Sequence, residues 1–302
     1  MFENCKSLSA PPALPATTLG SSCYWAMFKG CTSLVSAPTL PASTCTTSCY
    51  REMFYGCTSL VVAPDLPAEN VVSYCYYQMF RDCTSLTTPP SVLPATNLAG
   101  SNKTSAYQQM FYNCQKLESS PEIPVDELGP SVCREMFQNC TSLTTAPDMS
   151  MIQTLGSYAC KSMFQNCTSL TEIPSLDNIT TVNTYSCYQM FYNCTNAEGH
   201  PYLMALTLAN YCYSQMFYGC SKLDGAEIAA TSGLSSTSSC NQMFKNCRTL
   251  QSVEVSWTSW PTGTTKWLEG VSSSGTFTCP SGLDTSTPGV NKNPSGWVIS
   301  VI

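Results

Sequence analysis

Charge is scarce in this 302-residue chain: Asp, Glu, Lys and Arg together make up 11% of it, against the usual quarter. No basic cluster occurs and the net charge is −6, which argues against nucleic acid and anionic membrane as partners. No apolar run exceeds a few residues, so no segment is expected to insert into a membrane. Histidine occurs once, at His200, so any Ser-His-Asp or Cys-His machinery would rest on that one residue. Glycine-rich phosphate loops and dinucleotide fingerprints are missing. The acids Glu118, Glu122, Asp126 and Glu127 cluster only loosely and read as a solvated face. These absences point away from an enzyme, and neither a cofactor nor a resident metal is expected.

Serine and threonine take the place of charge, 41 and 35 of them. What organises the chain is repetition. The pair Met-Phe begins at Met1, Met27, Met53, Met79, Met110, Met136, Met163, Met190, Met216 and Met243, and a cysteine follows each Phe by three residues. A Ser-Leu or Lys-Leu pair and a proline-rich stretch complete most copies. Ten units of about 26 residues are the signature of a solenoid, in which each coil buries its apolar face on its neighbours. The fold class expected is an α/β repeat solenoid of about ten coils, similar to leucine-rich repeats. Residues 1–250 form the repeat domain and 251–302 a tryptophan-rich capping segment without a repeat.

Within one unit, Cys23, Met27 and Cys31 recur every fourth residue with Tyr24 and Phe28 beside them, a spacing that predicts a two-turn amphipathic helix. Gly30 would end it, as Gly56, Asn113 and Asn139 would in other copies. A very short strand after Leu34 stops at the next proline. The predicted core is Met27, Phe28, Cys31, Met53, Phe54, Cys57, Met136, Phe137, Cys140, Met163, Phe164 and Cys167. Zinc is disfavoured because C-x6-C and C-x7-C are too widely spaced for a paired knuckle. The cysteines are expected to be reduced core thiols, with an occasional disulfide between coils.

The pattern F-x-x-C-x-x-L, followed by I/A-x-x-P, resembles the BspA-type leucine-rich repeat; the longer M-F-x-x-C-x-S-L form is similar to the DUF285 repeats of bacterial surface proteins. The resemblance spans residues 1 to about 250. It implies a solenoid displayed outside the cell, on gut bacteria or in some of their phages, and no catalytic residues. The first residues, MFENCKSL, already read as repeat, and no signal peptide is expected in this chain. An uncapped first repeat would allow end-to-end association.

Two features point to a binding face for a protein or glycan. The residue beside each turn varies as Lys29, Tyr55, Arg81, Tyr112, Tyr192, Tyr218 and Lys245, and the one 31-residue copy carries a polar insertion with Asn102 and Lys103. Tyr24, Trp25, Tyr50, Tyr76, Tyr77, Tyr188 and Tyr213 follow the first cysteine, and the row Tyr24, Tyr50, Tyr76 is expected to stack coil on coil inside. The leading expectation is a surface-displayed adhesion module; the runner-up is a phage tail-fibre or filament component.

Overall fold

A computed structural model describes residues 1–302. It is a stack of coils whose neighbours pair in parallel, with one continuous core of 86 buried residues running along its length. The expected helix is absent. A single three-residue 3-10 turn, Ser101–Lys103, is the only helical element, and of 159 backbone hydrogen bonds only 12 lie within regular helices and strands.

The segment expected to be helical is a staircase of overlapping β-turns. Alternate amides donate back three residues, as Trp25 N–H to Ser22 O at 3.2 Å, Met27 to Tyr24 at 3.2 Å and Lys29 to Ala26 at 3.1 Å. The amides between them donate to the next coil, as Tyr24 to Cys49 O at 3.0 Å, Ala26 to Arg51 at 2.8 Å and Phe28 to Met53 at 2.9 Å. Every second turn carries a positive φ at its third residue, as a type II turn requires. Ser22, Ala26 and Gly30 stand at φ 58°, 53° and 71°, and the pattern recurs in each coil. The left-handed conformation foreseen at Gly30 and Asn139 is therefore present, but it serves a turn and not a helix end.

The physical reason is hydrogen-bond bookkeeping along the stack. A two-turn helix is marginal in water and leaves its first four amides without a partner inside it; the bonds it does form are its own and join it to no neighbouring coil. The staircase uses half its amides locally and half between coils. Twenty-six non-glycine residues adopt positive φ, each at roughly 1–2 kcal/mol, and the inter-coil ladder with its buried columns offsets this.

Past the staircase the chain forms short parallel pairings. β1 (Glu127–Leu128), β2 (Thr154–Leu155) and β3 (Thr181–Val182) make one sheet. β4 (Tyr202–Leu203), β5 (Gly225–Ile228), β6 (Ser252–Val255), β7 (Thr276–Cys279) and β8 (Val298–Val301) make another, in sequence order. Isolated bridges such as Ser36 with Val62 and Val62 with Thr88 extend the same pairing through the earlier coils.

The second sheet crosses residue 250 without a break. The Phe244 amide donates to Trp267 O at 2.8 Å, as Phe217 donates to Met243, so Trp267–Leu268 stands where Met-Phe stands in the repeats. The 251–302 segment thus continues the coils in shape after the sequence motif has ended. Its last loop also covers the final staircase: Trp267 Nε1 donates to Lys292 O, Lys266 N–H to Asn291 Oδ1 and Trp297 Nε1 to Ser272 O.

Candidate functional site

The staircase turns its residues inward and outward in pairs. Four columns face in. The first holds Cys49, Cys75, Ala106, Val132 and Ala159; the second Tyr50, Tyr76, Tyr107, Cys133 and Cys160; then follow the methionines from Met27 and the phenylalanines from Phe28 onward, all buried. Met27, Met53, Met136 and Met163 lie in the third column and Phe28, Phe54, Phe137 and Phe164 in the fourth. The phenylalanine rings stack face to face along the whole repeat at 5.3 to 5.6 Å, and Tyr24, Tyr50, Tyr76 and Tyr107 stack likewise.

The cysteine column after Met-Phe has a defined task. Cys31, Cys57, Cys140 and Cys167 are buried, and each thiol donates to the Phe carbonyl of the coil before it. Cys57 Sγ lies 3.1 Å from Phe28 O, and Cys140 Sγ 3.0 Å from Phe111 O. That carbonyl already accepts an amide from its own turn, so the thiol fills its second lone pair. Burial pushes the Cys57 and Cys140 thiols up to about 12, which makes them unreactive.

Three columns face out. The one beside the turn gathers the predicted residues into a stripe. The Lys29 ammonium lies 4.6 Å from the Tyr55 ring, and the Arg81 guanidinium 5.6 Å from Tyr55 and 4.2 Å from Tyr112. Farther along, Tyr192 and Tyr218 stack at 4.6 Å, with Lys245 at 6.0 Å from the second ring. Gln138 and Gln165 separate the two groups. Behind the stripe runs an amide ladder, with Asn166 Nδ2 donating to Asn139 Oδ1 at 2.8 Å and Asn193 to Asn166 at 3.2 Å.

The middle outward column carries Trp25, Arg51 and Tyr77, the guanidinium lying 4.8 and 4.9 Å from the two rings. Burial works against the charge of the adjacent Glu52, but Lys29 at 2.6 Å and Arg51 at 3.0 Å outweigh it and hold its carboxyl below the usual range. Glutamines continue that line: Gln189 Nε2 donates to Gln215 at 2.6 Å, and Gln215 to Gln242 at 2.8 Å.

The third outward column was not foreseen. Tyr158, Tyr185 and Tyr211 stack at 5.0 and 4.5 Å. All three stand five residues before Met; aligning the copies on Met, and not on the shifting first cysteine, brings them into one row. Asn102 and Lys103 do not join the stripe. They lie in the 3-10 turn that precedes the staircase, and Lys103 Nζ donates to the Val71 carbonyl. His200 sits on the strand side, 3.9 Å from Asp224 and 3.6 Å from Glu227; a Cβ at Gly225 would collide with its ring.

The outer face thus offers ring edges, phenol hydroxyls, amides and paired cations on a backbone bonded from coil to coil. Comparison with known proteins agrees with the repeat reading. The family described as BspA type leucine rich repeat region matches residues 1–120, 80–198, 133–262 and 206–286. A leucine-rich repeat protein from Bacteroides ovatus is similar among solved structures, at 16% identity and a TM-score of 0.37, covering 91% of this chain and 76% of that one. No curated protein matches.

Proposed function

Because the chain belongs to the BspA-type leucine-rich repeat family, we propose that it is a non-enzymatic binding module displayed outside the cell, and that the outer face of its turn staircase holds the partner. One observation carries this reading: three parallel outward columns concentrate tyrosine, cations and amides where the core has no need of them. Tyrosine provides contact area with little loss of side-chain entropy.

The chemistry favours a protein over a glycan. Sugars stack on ring faces, and here the faces of Tyr158, Tyr185 and Tyr211 cover one another, leaving edges and hydroxyls outward. No helix is long and apolar enough to cross a membrane. A tail-fibre or filament role is the second reading; it rests on β8, which pairs only with β7 and leaves Val298 and Val301 exposed. Light scattering across concentration tests that end-to-end reading.

Purified chain screened on protein and glycan arrays tests the leading one. A protein ligand is expected, with binding lost in Tyr192→Ala/Tyr218→Ala and kept in Lys222→Ala on the strand side. Equal binding by both variants would remove the outer face from consideration.

A further inference from the structure

The chain has twenty cysteines, but one trio brings three sulfurs to a point. Cys45 and Cys49 come from the coil of Met53 and Cys75 from the coil of Met79. All three are buried, with their sulfurs within 4.8 Å of one another. Cys45 and Cys75 form a disulfide, and Cys49 Sγ lies 3.6 Å from Cys75 Sγ. The trio is not a product of the repeat. Cys49 and Cys75 share the first inward column, but Cys45 stands where the next coil places Val71, one residue after the bridge of Thr44 with Asn70. The Thr46 hydroxyl is buried beside the Cys49 thiol.

We propose that, once the Cys45–Cys75 bond is reduced, Cys45, Cys49 and Cys75 form a trigonal site for a soft d10 metal ion, monovalent copper, so that these two coils are cross-linked in either redox state. Three thiolates around one ion at metal–sulfur bonds of about 2.3 Å lie about 4 Å apart, within the span these sulfurs already occupy. Thiolates select copper(I) and zinc among biological ions. Structural zinc takes four ligands, and the trio contains neither a fourth thiolate nor an imidazole; copper(I) is satisfied by three.

The chemistry balances. A dithiol reductant gives two electrons and two protons to the Cys45–Cys75 bond and itself becomes a disulfide. The ion then displaces three thiol protons and gains three sulfur bonds. Because the ion displaces thiol protons, uptake weakens as pH falls and protons compete for the sulfurs.

The test uses the full chain carrying Cys5→Ser and Cys23→Ser, which removes its two exposed thiols. Reduced anaerobically and freed of reductant, it is titrated with copper(I) against a chromophoric chelator. One ion per chain is expected, with a higher melting temperature, and none for the oxidised chain. Adding Cys49→Ala should abolish uptake while leaving the Cys45–Cys75 disulfide formed on oxidation. Alanine fits that column, since Ala106 and Ala159 already occupy it, and circular dichroism checks the fold. The proposal is overturned by a reduced chain that takes no ion, by equal uptake in Cys49→Ala, or by equal uptake in the oxidised chain.

Discussion

The coils of Met53, Met79 and Met110 and those of Met136, Met163 and Met190 share one backbone but fill their interiors in opposite ways. In the first group the second inward column is Tyr50, Tyr76 and Tyr107, and the return segment contributes Ala42, Ala68 and Ala95. In the second group that column is Cys133, Cys160 and Cys187, and the return segment contributes Val125, Ile152 and Ile179. The Tyr107 hydroxyl lies against the backbone at Ala95, and Ile179 and Cys187 line one small interior gap. A large side chain from one wall meets a small one from the other, whichever wall it comes from. The Met216 coil returns to the first arrangement with Tyr213 and Ala205. Cys240 departs from it, since its return segment keeps Ala230; the coil after it brings the buried Trp257 and Trp267. Volume per coil is what the interior conserves, as close packing demands.

The largest expected effect comes from breaking one side of that exchange. Tyr76→Cys, which leaves Ala68 facing a void between two stacked rings, should cost roughly 3–5 kcal/mol, whereas Cys160→Tyr overpacks and should cost about 1–3 kcal/mol. Urea melts of Tyr76→Cys with and without Ala68→Ile then sharpen the comparison: the second change should restore about 1 kcal/mol or more. Strict additivity would mean that the two walls do not compensate each other.

A smaller effect should separate the groups by pH. The second group holds six buried free thiols against four in the first, Cys49, Cys57, Cys83 and Cys114, and burial pushes Cys133 and Cys140 up to about 12. The unfolded chain releases those protons near pH 8.5, so above that value it binds fewer protons than the folded one and stability falls as pH rises toward 12. Below about pH 8 these thiols contribute their full stabilisation. Hydrogen exchange between pH 8 and 10 should show the coils of Met136 to Met190 opening before those of Met53 to Met110. Uniform loss of protection would assign the alkaline sensitivity elsewhere.

The smallest effect is expected outside. Tyr185→Ala removes a half-exposed ring between two others and should change stability by less than about 1.5 kcal/mol, with similar values in either group's outer columns. A loss comparable to Tyr76→Cys would show that the outer tyrosines support the fold.

Much of this was legible from residues alone. The repeat, its ten copies and the inward place of Met27, Phe28 and Cys31 follow from spacing, as does the outward stripe from Lys29 to Lys245. The first cysteine stands four residues before Met at Cys49 and Cys75 but three before it at Cys133, Cys160, Cys187 and Cys240, which is a move between two adjacent inward columns. The trio of Cys45, Cys49 and Cys75 could not be read, because contact between coils depends on register.

The sequence by itself determined that the chain stacks, which residues it buries and how often. Only the tertiary structure decided what the backbone does between those residues. Apolar pairs at every fourth residue fit a helix of 3.6 residues per turn and a staircase repeating every four, which drift apart by less than one residue over Cys23 to Cys31. The arbiter is where the amides of Tyr24, Ala26 and Phe28 donate. They reach the next coil, and a neighbour 26 residues away is no part of the local pattern.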